Sequence, residues 1–250
     1  MTMIPKFEEA NDPNFGDDAY EQSARVVAVD KFTNGHLLHS RNTFHDALEK
    51  AYETSLAEGL PDIACAPSQA KYLSLQVRTS KATNVLEVGT LGGYSAIWMA
   101  TAGRDVRITS VEVDPHHKAV AERNIAKAGL SDQIEVRLGP GLEVLPELKQ
   151  EVAAGKRRPF DFVFIDADKE NNLAYLQMAL DMTEPATAFF IDNVVRKGKI
   201  ADSEAAKKDV RIKAVREMVE AVGKDDRVEA VVVQTVSEKN YDGFLMAVKK

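Results

Sequence analysis

Seven short apolar runs, most of them separated by stretches of helical periodicity, constrain this chain more than any other feature. They are Val85 to Val88, Val106 to Val113, Ile134 to Leu138, Phe162 to Ile165, Ala188 to Ile191, Val228 to Val233 and Phe244 to Val248. Strands that alternate with helices of about 10 to 15 residues build βαβ units, and such units give a parallel sheet covered by helices on both faces. The fold class is therefore α/β. The last two runs are separated only by Gln234 to Asp242, too short for a crossover helix, so they are expected to pair antiparallel.

Local signals agree with this alternation. Asp114-Pro115 supplies an N-cap followed by proline at the first helical position, and Gly129 stands where a left-handed residue ends a helix spanning about 115 to 128. A further helix is expected from Pro67 to Ser80, and Asp17 to about Glu58 has helical periodicity rich in charge. We read 1–63 as a helical appendage before a core over 64–250, the whole forming one domain, as is usual for α/β chains of 250 residues.

Composition removes several function classes. The net charge is -7, and the basic residues are scattered apart from short runs such as Lys156-Arg157-Arg158 and Lys207-Lys208, which argues against a phosphate-backbone partner. Cys65 is the single cysteine, so no intrachain disulfide forms and a reducing compartment fits. No segment reaches the ~18 apolar residues of a membrane span, and Met1 to Asp18 lacks a signal-peptide core. The expectation is a cytoplasmic protein without nucleic-acid or membrane partners.

The chemistry gathers where strands end. The first strand runs into Glu87-Val88-Gly89-Thr90-Leu91-Gly92-Gly93-Tyr94-Ser95. Glycines at a strand-to-helix turn let a backbone approach a ligand at the carboxyl ends of the strands, although mere packing is the plain alternative. Glu87 occupies the place of the first glycine of a dinucleotide fingerprint, where a carboxylate repels a pyrophosphate. That disfavours a nicotinamide-dependent oxidoreductase. Glu112 ends the second strand at the distance suited to accepting both hydroxyls of a ribose, while Asp114 is better spent as the helix cap.

The fourth and fifth strands end abruptly in acids: Phe164-Ile165-Asp166-Ala167-Asp168-Lys169 and Phe190-Ile191-Asp192-Asn193. If the strands are neighbours, Asp166, Asp192 and Asn193 present two carboxylates and an amide oxygen, a hard donor set suited to Mg²⁺, Mn²⁺ or Ca²⁺. Three such ligands leave about three octahedral positions for a chelating substrate and water. Asp168 is either part of this cluster or a helix cap. Lys169 beside it is either a general base or the partner in a salt bridge. None of His36, His39, His45, His116 and His117 has zinc-like spacing. Trp98 either packs or flanks an adenine, whereas Met99 is core.

At these residues the chain resembles the cation-dependent O-methyltransferases, the family of catechol and caffeoyl-CoA O-methyltransferases, from roughly Ala64 onwards. The resemblance rests on Val85 to Ser95, Glu112-Val113-Asp114, Phe164 to Lys169, Ile191-Asp192-Asn193 and Asp242-Gly243. It implies a Rossmann-like class I methyltransferase fold, a seven-stranded sheet with its last strand antiparallel, and a homodimer. It also implies S-adenosylmethionine and a divalent cation as cofactors. In that pattern Asp166, Asp192 and Asn193 hold the metal and Lys169 is the base. Ala66, Glu87, Gly89, Tyr94, Ser95, Glu112, Gly139, Pro140 and Asp168 line the S-adenosylmethionine site. The implied acceptor is a small aromatic vicinal diol: a catechol, flavonoid or hydroxycinnamoyl ester. Departures fall in the N-terminal helices and at Val194 to Val210, where the basic loop Arg196-Lys197-Gly198-Lys199 either suits an acidic acceptor or, the plainer reading, is a solvated charge run. A non-catalytic module that merely binds S-adenosylmethionine is the remaining rival.

Overall fold

The computed structural model describes residues 24–38 and 44–250. The expectations for Met1 to Asp18, for the helical start at Asp17 and for His39 lie outside the described residues. Two helices come first, α1 (Ala24–Leu37) and α2 (His45–Ala57), then α3 (Pro67–Thr79). The alternating part follows as β1 (Asn84–Val88), α4 (Tyr94–Ala100), β2 (Arg107–Glu112), α5 (Pro115–Lys127), β3 (Ile134–Leu138), α6 (Gly141–Ala153), β4 (Phe160–Ile165), α7 (Asn172–Leu180) and β5 (Thr183–Ile191). Helices α8 (Ser203–Lys208) and α9 (Val210–Val222) precede β6 (Val228–Val236) and β7 (Tyr241–Lys249).

The seven strands form one sheet in the order β3-β2-β1-β4-β5-β7-β6. Strands β1 to β5 pair in parallel, and β7 runs antiparallel to both β5 and β6, as the short connection requires. Alternation along each strand divides the apolar residues between two cores. Val85, Ile108, Phe162, Phe164 and Phe190 face α2 to α5, while Leu86, Val111, Val163, Ile165 and Phe189 face α6, α7 and α9. The strand order reverses between β1 and β4, and that switch point is where open α/β sheets open a crevice at their carboxyl ends.

Two details differ from the reading of local pattern. β5 begins at Thr183, ahead of Ala188, because Thr183 pairs with Phe160 before the register shifts to Ala188 opposite Phe162. The intervening Pro185 has no N–H to give the ladder, and Ala186 adopts φ +67°. Helix α2 is built into the molecule, with Leu48, Ala51 and Ser55 buried; among the described residues α1, which buries none, fits the description of an appendage. Among the described residues no helix is long and apolar enough to cross a membrane.

Caps behave as their residue types dictate. Asp114 accepts from the backbone N–H groups of His116 at 2.7 Å and His117 at 3.2 Å, with Pro115 at the first helical position. Gly129 takes φ +71° after α5.

Candidate active site

Registers at the switch point bring the acids together. Val88 stands opposite Ile165, and Ile165 opposite Ile191, so the next residues, Gly89, Asp166 and Asp192, leave the sheet side by side. The exit is hydrogen-bonded: Asp166 N donates to Val88 O at 2.8 Å and Asp192 N to Ile165 O at 2.9 Å. A donor atom from each of Cys65, Asp166 and Asp192 lies within 4.8 Å of the other two. Lys169 Nζ donates to Asp166 Oδ1 at 2.7 Å, and the lysine is 9% exposed. Burial, followed by the charge of Asp166, pushes the Asp192 carboxyl up to about 7. A half-buried carboxylate this close to a buried one repels it, and a cation is the natural remedy. Burial also pushes the Cys65 thiol up, which keeps it a neutral neighbour of the acids at 3.9 Å from Asp166 Oδ2.

Behind this cluster, Asp242 fixes the chain that follows β5. Its Oδ1 accepts from the N–H groups of Val195 at 3.0 Å, Arg196 at 2.8 Å and Gly243 at 2.9 Å. Asn193 sits in the left-handed region at φ +57°, a conformation that asparagine tolerates better than most residues. Arg196 is thereby turned into the cavity wall with its Nε buried and unpaired, so the solvated-run reading fails for Arg196 and holds for the exposed Lys197.

On the other side of the switch point the acids are satisfied by the chain itself. Glu112 Oε2 accepts from Leu91 N at 2.7 Å and Thr90 N at 3.3 Å, and Oε1 accepts from Asp114 N at 2.9 Å. Glu87 is fully buried and accepts from the hydroxyls of Ser95, at 2.5 Å, and Ser110. Its carboxyl rises to about 7 through burial, which the two hydroxyl bonds only partly oppose.

The glycines of the turn answer to packing as well as to a ligand. A Cβ on Gly89, which has φ +99°, would meet Asp166 O at 2.1 Å, and one on Gly92 would meet Ser55 Oγ at 2.0 Å. Asn124 Nδ2 donates to Gly92 O at 2.9 Å and Ala51 O at 3.2 Å, which ties α5, α2 and the turn together.

A cavity of about 760 Å³ opens along this rim. Gly89, Tyr94, Ser95, Glu112, Gly139, Pro140, Asp166, Asp168, Lys169 and Asn193 stand in its wall. Ala66, Glu87 and Asp192 lie outside that wall, each buried: Ala66 at the start of α3, Glu87 beneath Ser95, and Asp192 beside Asp166. Asp168 stands at the N-cap position of the short helical turn after β4 but makes no side-chain capping bond; its exposed carboxylate accepts from the Tyr175 hydroxyl at 2.6 Å and from the Asn171 side chain. Trp98 packs in the core and lines a different cavity. His117 reaches this cavity, with Nδ1 3.7 Å from Glu112 Oε1. Sequence reasoning missed Cys65 and Tyr175 as parts of the site. Only the short Asp242-Gly243 motif hinted at the anchor behind it.

Known proteins resemble this chain over most of its length. The model of a family described as O-methyltransferase matches residues 39–250, so the likeness begins ahead of Ala64 and takes in α2. The chain is 45% identical over 236 residues to the O-methyltransferase imqG of Aspergillus flavus, covering 94% of this chain and 96% of that one. It is 40% identical to a catechol O-methyltransferase of Niastella koreensis, over 86% and 96% of the two chains. Among solved structures, the O-methyltransferase from Bacillus cereus in complex with SAH superposes with a TM-score of 0.83 at 39% identity, covering 90% of this chain and 99% of that one.

Proposed function

The chain belongs to the O-methyltransferase family, and from that premise we propose that it transfers the methyl group of S-adenosylmethionine to one of two adjacent phenolic hydroxyls, with a divalent cation as helper. SAH, the demethylated product of that donor, occupies the relative from Bacillus cereus. The catechol acceptor is suggested by the name of the relative from Niastella koreensis. The observation that carries the cation is the convergence of Asp166 and Asp192 within 4.8 Å at two adjacent strand ends.

The donor set fits a hard ion: two carboxylates, one fully buried, beside an asparagine. Asp166, Asp192 and Asn193 would hold it. When bound, such an ion supplies Lewis acidity that lowers the pKa of a chelated phenol. Lys169, held against Asp166, takes the phenolic proton onto Nζ after releasing its own to solvent. Glu112, its lone pairs aimed by three backbone N–H groups, accepts the ribose hydroxyls. Gly89, Tyr94, Ser95, Gly139, Pro140 and Asp168 line the rest of the cofactor's bed, with Ala66 and Glu87 supporting it from behind. Holding donor methyl and acceptor oxygen in line supplies ~7 to 11 kcal/mol of the barrier reduction.

A homodimer belongs to the same reading. Val29, Phe32 and Leu37 on α1 and Val231, Val233 and Val236 on the edge strand β6 are exposed apolar residues, and Glu238 N bonds Asp30 Oδ2 at 2.7 Å to join the two regions. The deciding experiment incubates the protein with S-adenosylmethionine and catechol and follows the monomethyl ether by mass. Product is expected with Mg²⁺ and should vanish when the ion is chelated. Undiminished product under chelation would remove the metal from the reading.

A further inference from the structure

Glu112 has less to give a ligand than its place at the end of β2 suggests. An ionised carboxylate offers about four lone-pair positions, and three are taken from within the chain: Oε2 by Leu91 N and Thr90 N, and Oε1 by Asp114 N. The position left lies on Oε1. The two hydroxyls of a ribose must share it unless a second acceptor stands beside it.

The wall around Glu112 offers little else. Leu91, Val113, Gly139, Pro140 and Leu142 carry no side-chain acceptor, and the Thr90 hydroxyl is spent on Ser110 at 2.6 Å. His116 is engaged elsewhere, its Nε2 2.9 Å from Glu58 O. His117 is the exception. It is half-buried in the cavity wall, with Nδ1 3.7 Å from Glu112 Oε1. That separation is too long for a hydrogen bond between the two groups, and it is a span that two adjacent ring hydroxyls can bridge, each donating to one end.

The first turn of α5 fixes this placement. Asp114 N donates to Glu112 Oε1 at 2.9 Å, and Asp114 Oδ1 accepts from His117 N at 3.2 Å. One aspartate therefore ties the end of β2 to the third residue of α5, and the imidazole comes to rest beside the carboxylate. Its backbone serves the helix cap, which leaves the ring for the cavity.

We propose that His117 is a cofactor-binding residue, whose Nδ1 accepts one ribose hydroxyl of S-adenosylmethionine while Glu112 Oε1 accepts the other. This rests on the reading above in which the cavity takes that donor. An imidazole with its proton on Nε2 has one acceptor nitrogen, and the arrangement uses it. The pair then recognises a vicinal diol at two separate points, so each hydroxyl of the cofactor has its own partner in the protein.

The test pairs a change in the protein with a change in the ligand. His117→Phe keeps an aromatic ring, removes both nitrogens and leaves the backbone cap in place. Calorimetric titration of SAH, 2′-deoxy-SAH and 3′-deoxy-SAH into the wild type and this variant reads the coupling directly, without turnover. The variant is expected to bind SAH roughly 3- to 10-fold more weakly, the effect of one hydrogen bond. For at least one deoxy analogue that loss should shrink to under twofold, because the hydroxyl missing from the ligand is the one that His117 serves. A merely structural role would weaken all three ligands alike. Equal losses for all three, or no loss of SAH affinity, overturn the assignment of His117 and leave Glu112 as the sole host of the ribose. Absence of SAH binding by the wild type itself overturns the cofactor reading, and the role of His117 falls with it.

Discussion

The β1–β2 half of the rim and the β4–β5 half both present buried acids, yet they settle them differently. On the first half, Glu112 takes three backbone N–H bonds and Glu87 takes two hydroxyl bonds, all from within the chain. On the second, Asp166 and Asp192 face each other; Lys169 pairs with Asp166, and bonds from the Asn193 backbone and the Gln69 side chain leave burial and the charge of Asp166 dominant at Asp192. Acids with their own donors are fixed hosts whose remaining lone pairs await hydroxyls, whereas acids that oppose each other are built to be neutralised from outside. The first half thus suits a neutral part of a ligand and the second a cation.

Removing Asp192 should break the comparison most sharply. Asp192→Ala is expected to cut kcat/KM for catechol by roughly 1,000-fold, since charge stabilisation worth several kcal/mol is at stake and each 1.36 kcal/mol is tenfold. Affinity for S-adenosylmethionine, measured by calorimetry, should stay within about twofold. An equal loss in cofactor affinity would show that the halves act as one.

The next largest effect is on pH. With Asp192 near 7, gripping a divalent ion below that pH must expel a proton. Apparent Mg²⁺ affinity therefore rises up to about tenfold per unit towards pH 7 and levels off above it. Stability follows the same groups. Carboxyls whose folded pKa is raised bind more protons folded than unfolded, so their contribution is full below about pH 4 and is lost as pH rises through 7. Thermal unfolding from pH 5 to 8 should show this fall, and saturating Mg²⁺ should cancel the Asp192 share of it. The share from Glu87, also near 7, should persist with Mg²⁺ and disappear in Glu87→Gln. A Mg²⁺-induced shift as large at pH 5.5 as at pH 8 would contradict the assignment.

Much of the second half was readable because its signal is local: an apolar run that stops in acids places those acids at a strand end whatever the rest of the fold does. The Asp114 cap and the left-handed Gly129 were legible for the same reason. Other features depend on pairings that no local pattern encodes. Cys65 meets Asp166 across 101 positions of sequence. Gly92 owes its missing side chain partly to Ser55, a residue assigned from pattern to an appendage. Asp242 anchors Val195 and Arg196 from a different strand, and so turns Arg196, one residue of a basic run, inward. The start of β5 was hidden by Pro185, which reads as a strand breaker until Thr183 is seen opposite Phe160.

Asp168 lies on the seam and offers the finest test. By chain position it belongs with the metal half, two residues after Asp166, whereas the resemblance assigns it to the cofactor. The structure links it towards α6: Tyr175 donates its hydroxyl to Asp168 Oδ1 at 2.6 Å, and a Cβ on Gly141, at the start of α6, would come within 2.7 Å of the Tyr175 ring. Burial and the Asp168 hydrogen bond both raise the Tyr175 phenol, so it stays a donor throughout the working pH range. Tyr175→Phe keeps the buried ring and deletes one hydrogen bond, worth about 0.5 to 1.5 kcal/mol. We expect affinity for S-adenosylmethionine to fall roughly 2- to 10-fold and Mg²⁺ affinity to hold, both by calorimetry. The reverse outcome, weaker Mg²⁺ binding with the cofactor unaffected, would move Asp168 to the cation's side of the rim and redraw the boundary between the two halves.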